Sequence, residues 1–391
     1  MQQLLENYKR LLSLTESTFH RYMYYKVNWN GRLVGIVGAR GVGKTTMILQ
    51  HIKEELDVNK CLYVNAEDFY FASHKLVDLA DEFCKMGGEY LCIDEVHRYE
   101  GWSHELKLIY DYHPELKVVF SGSSILDINK GVKADLSRRA VKYTMYGLSF
   151  REYLELFEGI KSKTYTLEEV LEHKVEMESN FRPIMYFRRY LEKGYYPFAL
   201  EDNYEEKLMG VVTKTLETDI PEYASMNIST GRKLKRLMAV IAQSVPFKPN
   251  MVTLAEVLSV SRNNVADYLL YIEEAGLITQ LRDQTGGVRS LGKVDKVYLE
   301  NTNLIYVLAK TDQAEIGNVR ETFFMNQLRV VSDPITSDVS DFRVGEYTFE
   351  VGGRNKKQKQ IRGVEKAFVV KDDIEYGALN IIPLWMFGML Y

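Results

Sequence analysis

The first 150 residues carry a repeating pattern of short apolar runs separated by segments with helical spacing. Leu33 to Val37 is apolar throughout and breaks at Gly38; CLYVNAED (61–68), YLCIDE (90–95), LKVVFSGSS (116–124) and VKYTMYGL (141–148) follow. Continuous apolar runs of this length predict strands buried on both faces. The segments between them have helical spacing, as in Met47, Ile48 and Ile52 after Lys44. Strands alternating with helices predict parallel βαβ units, which bring the C-terminal ends of the strands to one shared edge. Ahead of the first run, residues 1 to about 30 predict a helix with tyrosine-rich apolar positions, and Asn28 to Gly31 a turn.

Beyond residue 150 the period changes. SFREYLELF and EEVLEHKVEM predict helices with one apolar stripe and a charged opposite face, read as a lid over 151–230. In VTLAEVLSVSRNNVADYLLYIEEAGLITQLR, Thr253 and Glu256 predict a capping box on a short helix. A turn at Ser259, a second helix from Arg262 and a strand complete a helix-turn-helix with a wing, assigned to 231–310.

The chemistry starts where the first run breaks. Gly38, Ala39, Arg40, Gly41, Val42, Gly43, Lys44, Thr45 and Thr46 form a complete phosphate-binding loop leading into a helix. Glycines at 38, 41 and 43 let backbone N–H groups curl around phosphate oxygens at the positive end of that helix. Lys44 is placed to reach the β- and γ-phosphates and Thr45 to ligate Mg²⁺. In YLCIDE, Asp94 emerges at a strand tip, where a carboxylate can hold the water shell of Mg²⁺. Glu95 beside it can accept a proton from the attacking water, which separates a hydrolysing site from a binding switch. At the end of the fourth run, Ser123 is the candidate sensor of the γ-phosphate, within Ser121, Gly122, Ser123 and Ser124. No NKxD sequence follows, so ATP is favoured over GTP.

GARGVGKTT, YLCIDEVHRYEGW, LKVVFSGSS and RRAVKYTMYGLSFREYLE together resemble a prokaryotic family of AAA-type, STAND-related P-loop ATPases with a C-terminal domain of unknown function. The resemblance spans the chain with gaps. It implies a three-layer αβα core with a parallel sheet over 1–150, a winged helix, and a degenerate restriction-endonuclease-like α/β tail over 311–391. It also implies an arginine ahead of the fifth strand that neutralises charge on the γ-phosphate, in cis or from a neighbouring subunit; of Arg138 and Arg139, Arg139 fits better. His97 and Trp102 follow the acidic strand tip as the family pattern does and are read as structural. In the tail, Glu321, Asp341 and Glu350 fall where such folds place a helix acid, a strand acid and the acid of an ExK motif. The position of the motif's lysine is Gly352, so an inactive tail is expected, with Arg354, Lys356, Lys357, Lys359 and Arg362 as the nearby basic run that could supply a migrated lysine or hold phosphates.

A formal charge of −4 over 391 residues gives no global pull toward nucleic acid. The second helix of the helix-turn-helix offers Arg262, Asn263 and Asn264 but also Asp267, Glu273 and Glu274, so weak DNA contact and a protein-facing role are expected. The GRKLKR stretch at 231–236 is equally explained by a solvated helix face. Cys61, Cys84 and Cys92 form no CxxC pair and suit buried thiols in a reducing compartment. No signal peptide or membrane span is evident, which favours the cytoplasm. The expectation is an ATP-hydrolysing, Mg²⁺-dependent switch acting on a protein or nucleic-acid partner, with homo-oligomers open. The competing readings are a DNA-binding regulator and an ATP-gated nuclease.

Overall fold

The computed structural model describes the chain except for residues 124, 244–245, 247, 284–292 and 310–315. It divides into two compact units, Met1–Gly147 and Leu148–Tyr391.

The first unit runs α1 (Gln2–Leu14), β1 (Leu33–Val37), α2 (Lys44–Glu55), β2 (Cys61–Asn65), α3 (Leu76–Lys85), β3 (Tyr90–Asp94), α4 (Trp102–Tyr112), β4 (Lys117–Gly122), α5 (Ile125–Gly131) and β5 (Val141–Thr144). The strands form one sheet in the order β2-β3-β4-β1-β5, and every pairing is parallel. All residues of β1 and β3 are buried. Because successive side chains point to opposite faces, helices must cover both sides, which gives the three-layer αβα core. Parallel pairing then places the exits of β1, β3 and β4 on one edge, with β4 between the other two.

The N-terminal helix is shorter than its sequence pattern suggested. It ends at Leu14, and Thr15 turns extended. The chain then runs without a long helix, apart from the turn Tyr22–Tyr25, and this lets the buried Arg21 guanidinium donate to Val42 O, Tyr146 O and Gly147 O.

His51 on α2 is 6% exposed and stacks on Trp29 with ring centroids 4.1 Å apart. Burial, then the Lys117 charge, pulls its pKa from 6.5 down to about 4. The folded state therefore holds the ring neutral, while the unfolded chain protonates it below its ordinary value. This contribution is complete above pH 6.5 and is lost as the pH falls toward 4. Roughly 2–3 kcal/mol is expected from a shift of this size. Denaturant titrations at pH 7 and 4.5 should show a smaller acid loss in His51→Phe than in the parent. Equal losses would remove His51 from the account.

The second unit begins with helices: α6 (Phe150–Glu158), α7 (Leu167–Leu171), α8 (Pro183–Lys193), α9 (Tyr204–Lys214), α10 (Ile220–Tyr223), α11 (Ile228–Gln243), α12 (Met251–Leu258) and α13 (Arg262–Glu274). An antiparallel ribbon of β6 (Ile278–Arg282) and β7 (Val294–Leu299) follows; the residues of the expected wing, 284–292, lie outside the described ones. After α14 (Thr302–Ala309) and α15 (Ile316–Leu328) come β8 (Phe342–Val344), β9 (Tyr347–Gly352), β10 (Ala367–Lys371) and β11 (Ile381–Pro383), in the sheet order β11-β10-β9-β8. Only β8–β9 is antiparallel in this sheet.

The capping box expected at Thr253 and Glu256 is not the start of α12. Asn250 caps that helix, its side chain accepting from the N–H groups of Val252 and Thr253, so the helix opens earlier. Asn303 ties the early helices to α14: its side chain donates to Tyr190 O and Leu191 O and accepts from Tyr195 N and Tyr204 Oη. That uses its full hydrogen-bonding capacity. Among the described residues no helix is long and apolar enough to cross a membrane.

Candidate functional site

The loop leaving β1 is shaped by its glycines. At Gly38 a Cβ would come within 2.2 Å of Met145 O, so no side chain fits without moving backbone. Gly41 and Gly43 have φ of 79° and 96°, in the left-handed region where glycine carries no steric cost. Gly43 caps α2, whose first residue is Lys44. Lys44 is buried and donates from Nζ to Gly38 O at 2.8 Å and Ala39 O at 3.0 Å. Burial lowers its pKa; the carboxylates of Glu95 and Asp94 oppose that shift and Arg40 adds to it.

Asp94, at the tip of β3, is the most heavily bonded carboxylate at this edge. Thr45 Oγ1 donates to Oδ2 at 2.5 Å and Tyr63 Oη donates to the same oxygen at 2.6 Å. Ser121 Oγ donates to Oδ1, as does the Glu95 N–H at 3.0 Å. Glu95 has φ 50°, a strained value for a non-glycine residue. Its side chain accepts at Oε2 from Ser123 N at 3.2 Å and Ser123 Oγ at 2.9 Å. The His97 ring is buried with Nδ1 3.5 Å from the same oxygen. It also sits where a Cβ on Gly122 would come within 2.9 Å of Nδ1, so the ring fills space that Gly122 leaves open.

The structure thus brings Lys44, Thr45, Asp94, Glu95 and Ser123 to one edge of the sheet. Ser124 lies outside the described residues. A hydroxyl and a carboxylate 2.5 Å apart at the head of a phosphate loop are the oxygen donor pair that Mg²⁺ takes in such loops. Within the loop, Arg40 Nε and Nη2 are buried and, among the described residues, have no hydrogen-bond partner. Two cations, Lys44 and Arg40, beside one set of glycine-shaped backbone N–H groups suit a polyphosphate anion.

Arg139 is elsewhere. Its guanidinium makes a two-point pair with Asp111, Nε to Oδ1 and Nη2 to Oδ2, both at 3.0 Å. That pair draws the Asp111 carboxyl below its ordinary range. Val141, two residues on, pairs with Val34 near the start of β1, whereas the phosphate loop leaves the other end after Val37. Roughly 13 Å of strand therefore separates Arg139 from its own loop, and Arg138 is exposed. The cis version of the arginine expectation is corrected: the residue that precedes a parallel strand sits at the edge opposite the phosphates.

Sequence reading missed Tyr63 and Arg21, and named Ser121 only beside the candidate sensor, not as a partner of Asp94. Tyr63 and Ser121 reach Asp94 because β2 and β4 flank β3, an order that no local pattern encodes. Arg21 lies in a stretch read as helix.

In the second unit, Glu321 and Asp341 share one lysine, while Glu350 is paired with another. Lys296 Nζ on β7 donates to Glu321 Oε2 at 3.1 Å and Asp341 Oδ1 at 3.2 Å, while Tyr298 Oη donates to Glu321 Oε2 at 2.8 Å. Burial and then the Asp341 charge raise the Glu321 pKa. Lys356 pairs with Glu350, and its stem lies where a Cβ on Gly352 would meet it at 2.6 Å. A lysine from the basic run thus reaches the acid that the missing lysine would have neighboured. Among the described residues no group of three or more His, Cys, Asp or Glu side chains is arranged to hold a metal ion.

Residues 30–154 match an AAA domain, and residues 184–315 match a domain of unknown function. An uncharacterised protein of Methanocaldococcus jannaschii is 25% identical over 280 residues; the match takes in 66% of this chain and 58% of that protein's length. Among solved structures, the Walker-type ATPase of Pyrococcus abyssi is 14% identical, with a TM-score of 0.46 over 76% of this chain and 99% of that one. AMPPCP-bound DnaA of Aquifex aeolicus is 17% identical, with a TM-score of 0.26 over 69% of this chain and 86% of that one.

Proposed function

We propose that the chain is a cytoplasmic, Mg²⁺-dependent ATPase that uses hydrolysis to switch its state toward a macromolecular partner. The observation that carries the reading is Asp94: it is bonded to the phosphate-loop Thr45 on one side and is followed by a strained Glu95 on the other. Thr45 and Asp94 are the residues that would hold Mg²⁺, which would supply neutralisation of charge on the phosphates. Lys44 exchanges the carbonyls of Gly38 and Ala39 for phosphate oxygens. Glu95, steadied by Ser123, takes the proton of the attacking water as the water oxygen bonds to the γ-phosphorus. The bond from that phosphorus to the β–γ bridging oxygen breaks, releasing ADP and phosphate. Phosphate release that requires Mg²⁺ and stops on chelation is the test; no release and no nucleotide binding would sink the reading.

The region 231–310 is read as a winged helix that faces protein. The exposed side of α13 offers Arg262, Asn263 and Asn264 against Asp267, and Lys235 on α11 is already paired with Glu217. That balance releases few counterions from DNA. The tail is read as a restriction-endonuclease-like fold without activity, since Lys296 bridges Glu321 and Asp341 where a metal ion would have to sit; Lys356 beside Glu350 is the lysine that would serve an active site. Plasmid and linear DNA incubated with the protein and Mg²⁺ or Mn²⁺, with and without ATP, are expected to stay intact. Cleavage that disappears in Asp341→Ala would move the nuclease reading to first place.

A further inference from the structure

We propose that Arg40 is the arginine that contacts the γ-phosphate, supplied in cis by the phosphate loop itself. The inference rests on the ATPase reading and assigns within it the role for which Arg139 is misplaced.

Three observations carry it. Arg40 is the third residue of the loop, with left-handed Gly41 directly after it, so its backbone is held where the loop wraps the phosphates. Lys44 Nζ is bonded to Ala39 O, the carbonyl of the peptide that joins Ala39 to Arg40, and the Arg40 charge acts on the same ammonium. Arg40 Nε and Nη2 are buried with no acceptor among the described residues. Arg40 is half-buried, and two buried guanidinium nitrogens without an acceptor are costly, because their desolvation is not offset by pairing. Arg139 has Asp111, Arg21 has three carbonyls, and Arg32, whose Nε is likewise buried without an acceptor, still has Tyr110 O at Nη2. The Nε and Nη2 edge of a planar fork, finding no protein oxygen among the described residues, fits two oxygens of a phosphoryl group.

The consequence is a chain that needs no neighbour to complete its charge stabilisation. Arginines that serve this role raise turnover by about 10³–10⁵; with Lys44 and Mg²⁺ sharing the load, Arg40→Ala is expected to lower kcat by roughly 10²–10³ with little change in KM. A second readout does not depend on turnover. Calorimetry with AMPPNP and with ADP, both with Mg²⁺, should show that the parent prefers AMPPNP and that Arg40→Ala loses about tenfold of that preference, as one charged hydrogen bond would predict. Arg40→Lys should recover part of it, since an ammonium keeps the charge but not the fork. A merely structural role would affect both nucleotides alike.

Specific activity should also stay constant as the protein is diluted. Unchanged discrimination in Arg40→Ala, with both nucleotides still bound, overturns the role of Arg40 alone. Activity per chain that collapses on dilution does the same, because it assigns the arginine to a neighbouring subunit. A parent that binds neither nucleotide overturns the ATPase reading itself.

Discussion

Lys44→Ala is expected to weaken MgATP binding by at least ~100-fold, because the loop loses the cation nearest the β- and γ-phosphates. Charge-assisted hydrogen bonds are each worth about 1.5–3 kcal/mol, and two of them exceed that loss. Glu95 and Asp94 help keep the ammonium charged against its burial, so removing it also leaves those carboxylates facing the phosphates uncompensated. Some stability goes with it. Gly38 O is buried and loses its donor, which costs about 1–3 kcal/mol. Calorimetry below the variant's melting temperature, with folding checked by circular dichroism, separates the two effects. Equal affinity in folded parent and variant would mean that the loop holds phosphate without its lysine.

What could be read along the chain was what lies contiguous in it. The phosphate loop, the strand before it and the acids at the tip of β3 are local patterns, and parallel βαβ logic carried them to one sheet edge. Partners that come from neighbouring strands could not be read. Tyr63 lies on β2 two residues before Asn65, which pairs with Asp94, and Ser121 directly follows Phe120, which pairs with Ile93. Only the strand order makes either a partner of Asp94. Arg139 is the opposite case, because a residue just ahead of a parallel strand belongs at its N-terminal edge, and that physical rule outweighs motif position.

The tail shows the same limit on a longer scale. Glu321, Asp341 and Glu350 were visible as a set, and Gly352 as its gap. Lys296 comes from a ribbon strand ahead of the set, and Lys356 folds back across Gly352 from the following turn, where Lys356 N donates to Gly353 O at 2.9 Å. Chain separation hid Lys296, whereas Lys356 was visible in the basic run that follows Gly352. At the start of α12, Thr253 and Glu256 satisfied the spacing of a capping box while Asn250, nearer the turn, took the role. Cap spacing alone does not fix a helix start when a second capping residue precedes it.

Glu95→Gln is expected to keep nucleotide binding within a few-fold of the parent and to lower turnover by roughly 10²–10⁴, the range for loss of a general base. The amide preserves the shape and can still accept from Ser123 N and Oγ through its carbonyl oxygen, so the geometry of the strained turn should survive. It cannot take a proton at neutral pH. Binding groups in the loop are untouched, so the variant should accumulate the ATP-bound state, and any partner that prefers that state should be held longer. Phosphate release in single-turnover mode, beside nucleotide affinity by calorimetry, divides the outcomes. Loss of turnover with affinity retained assigns the proton to Glu95. Unchanged release would make Glu95 a strand-end charge whose left-handed backbone serves only to turn the chain toward His97, and the base would have to be sought elsewhere along the same edge.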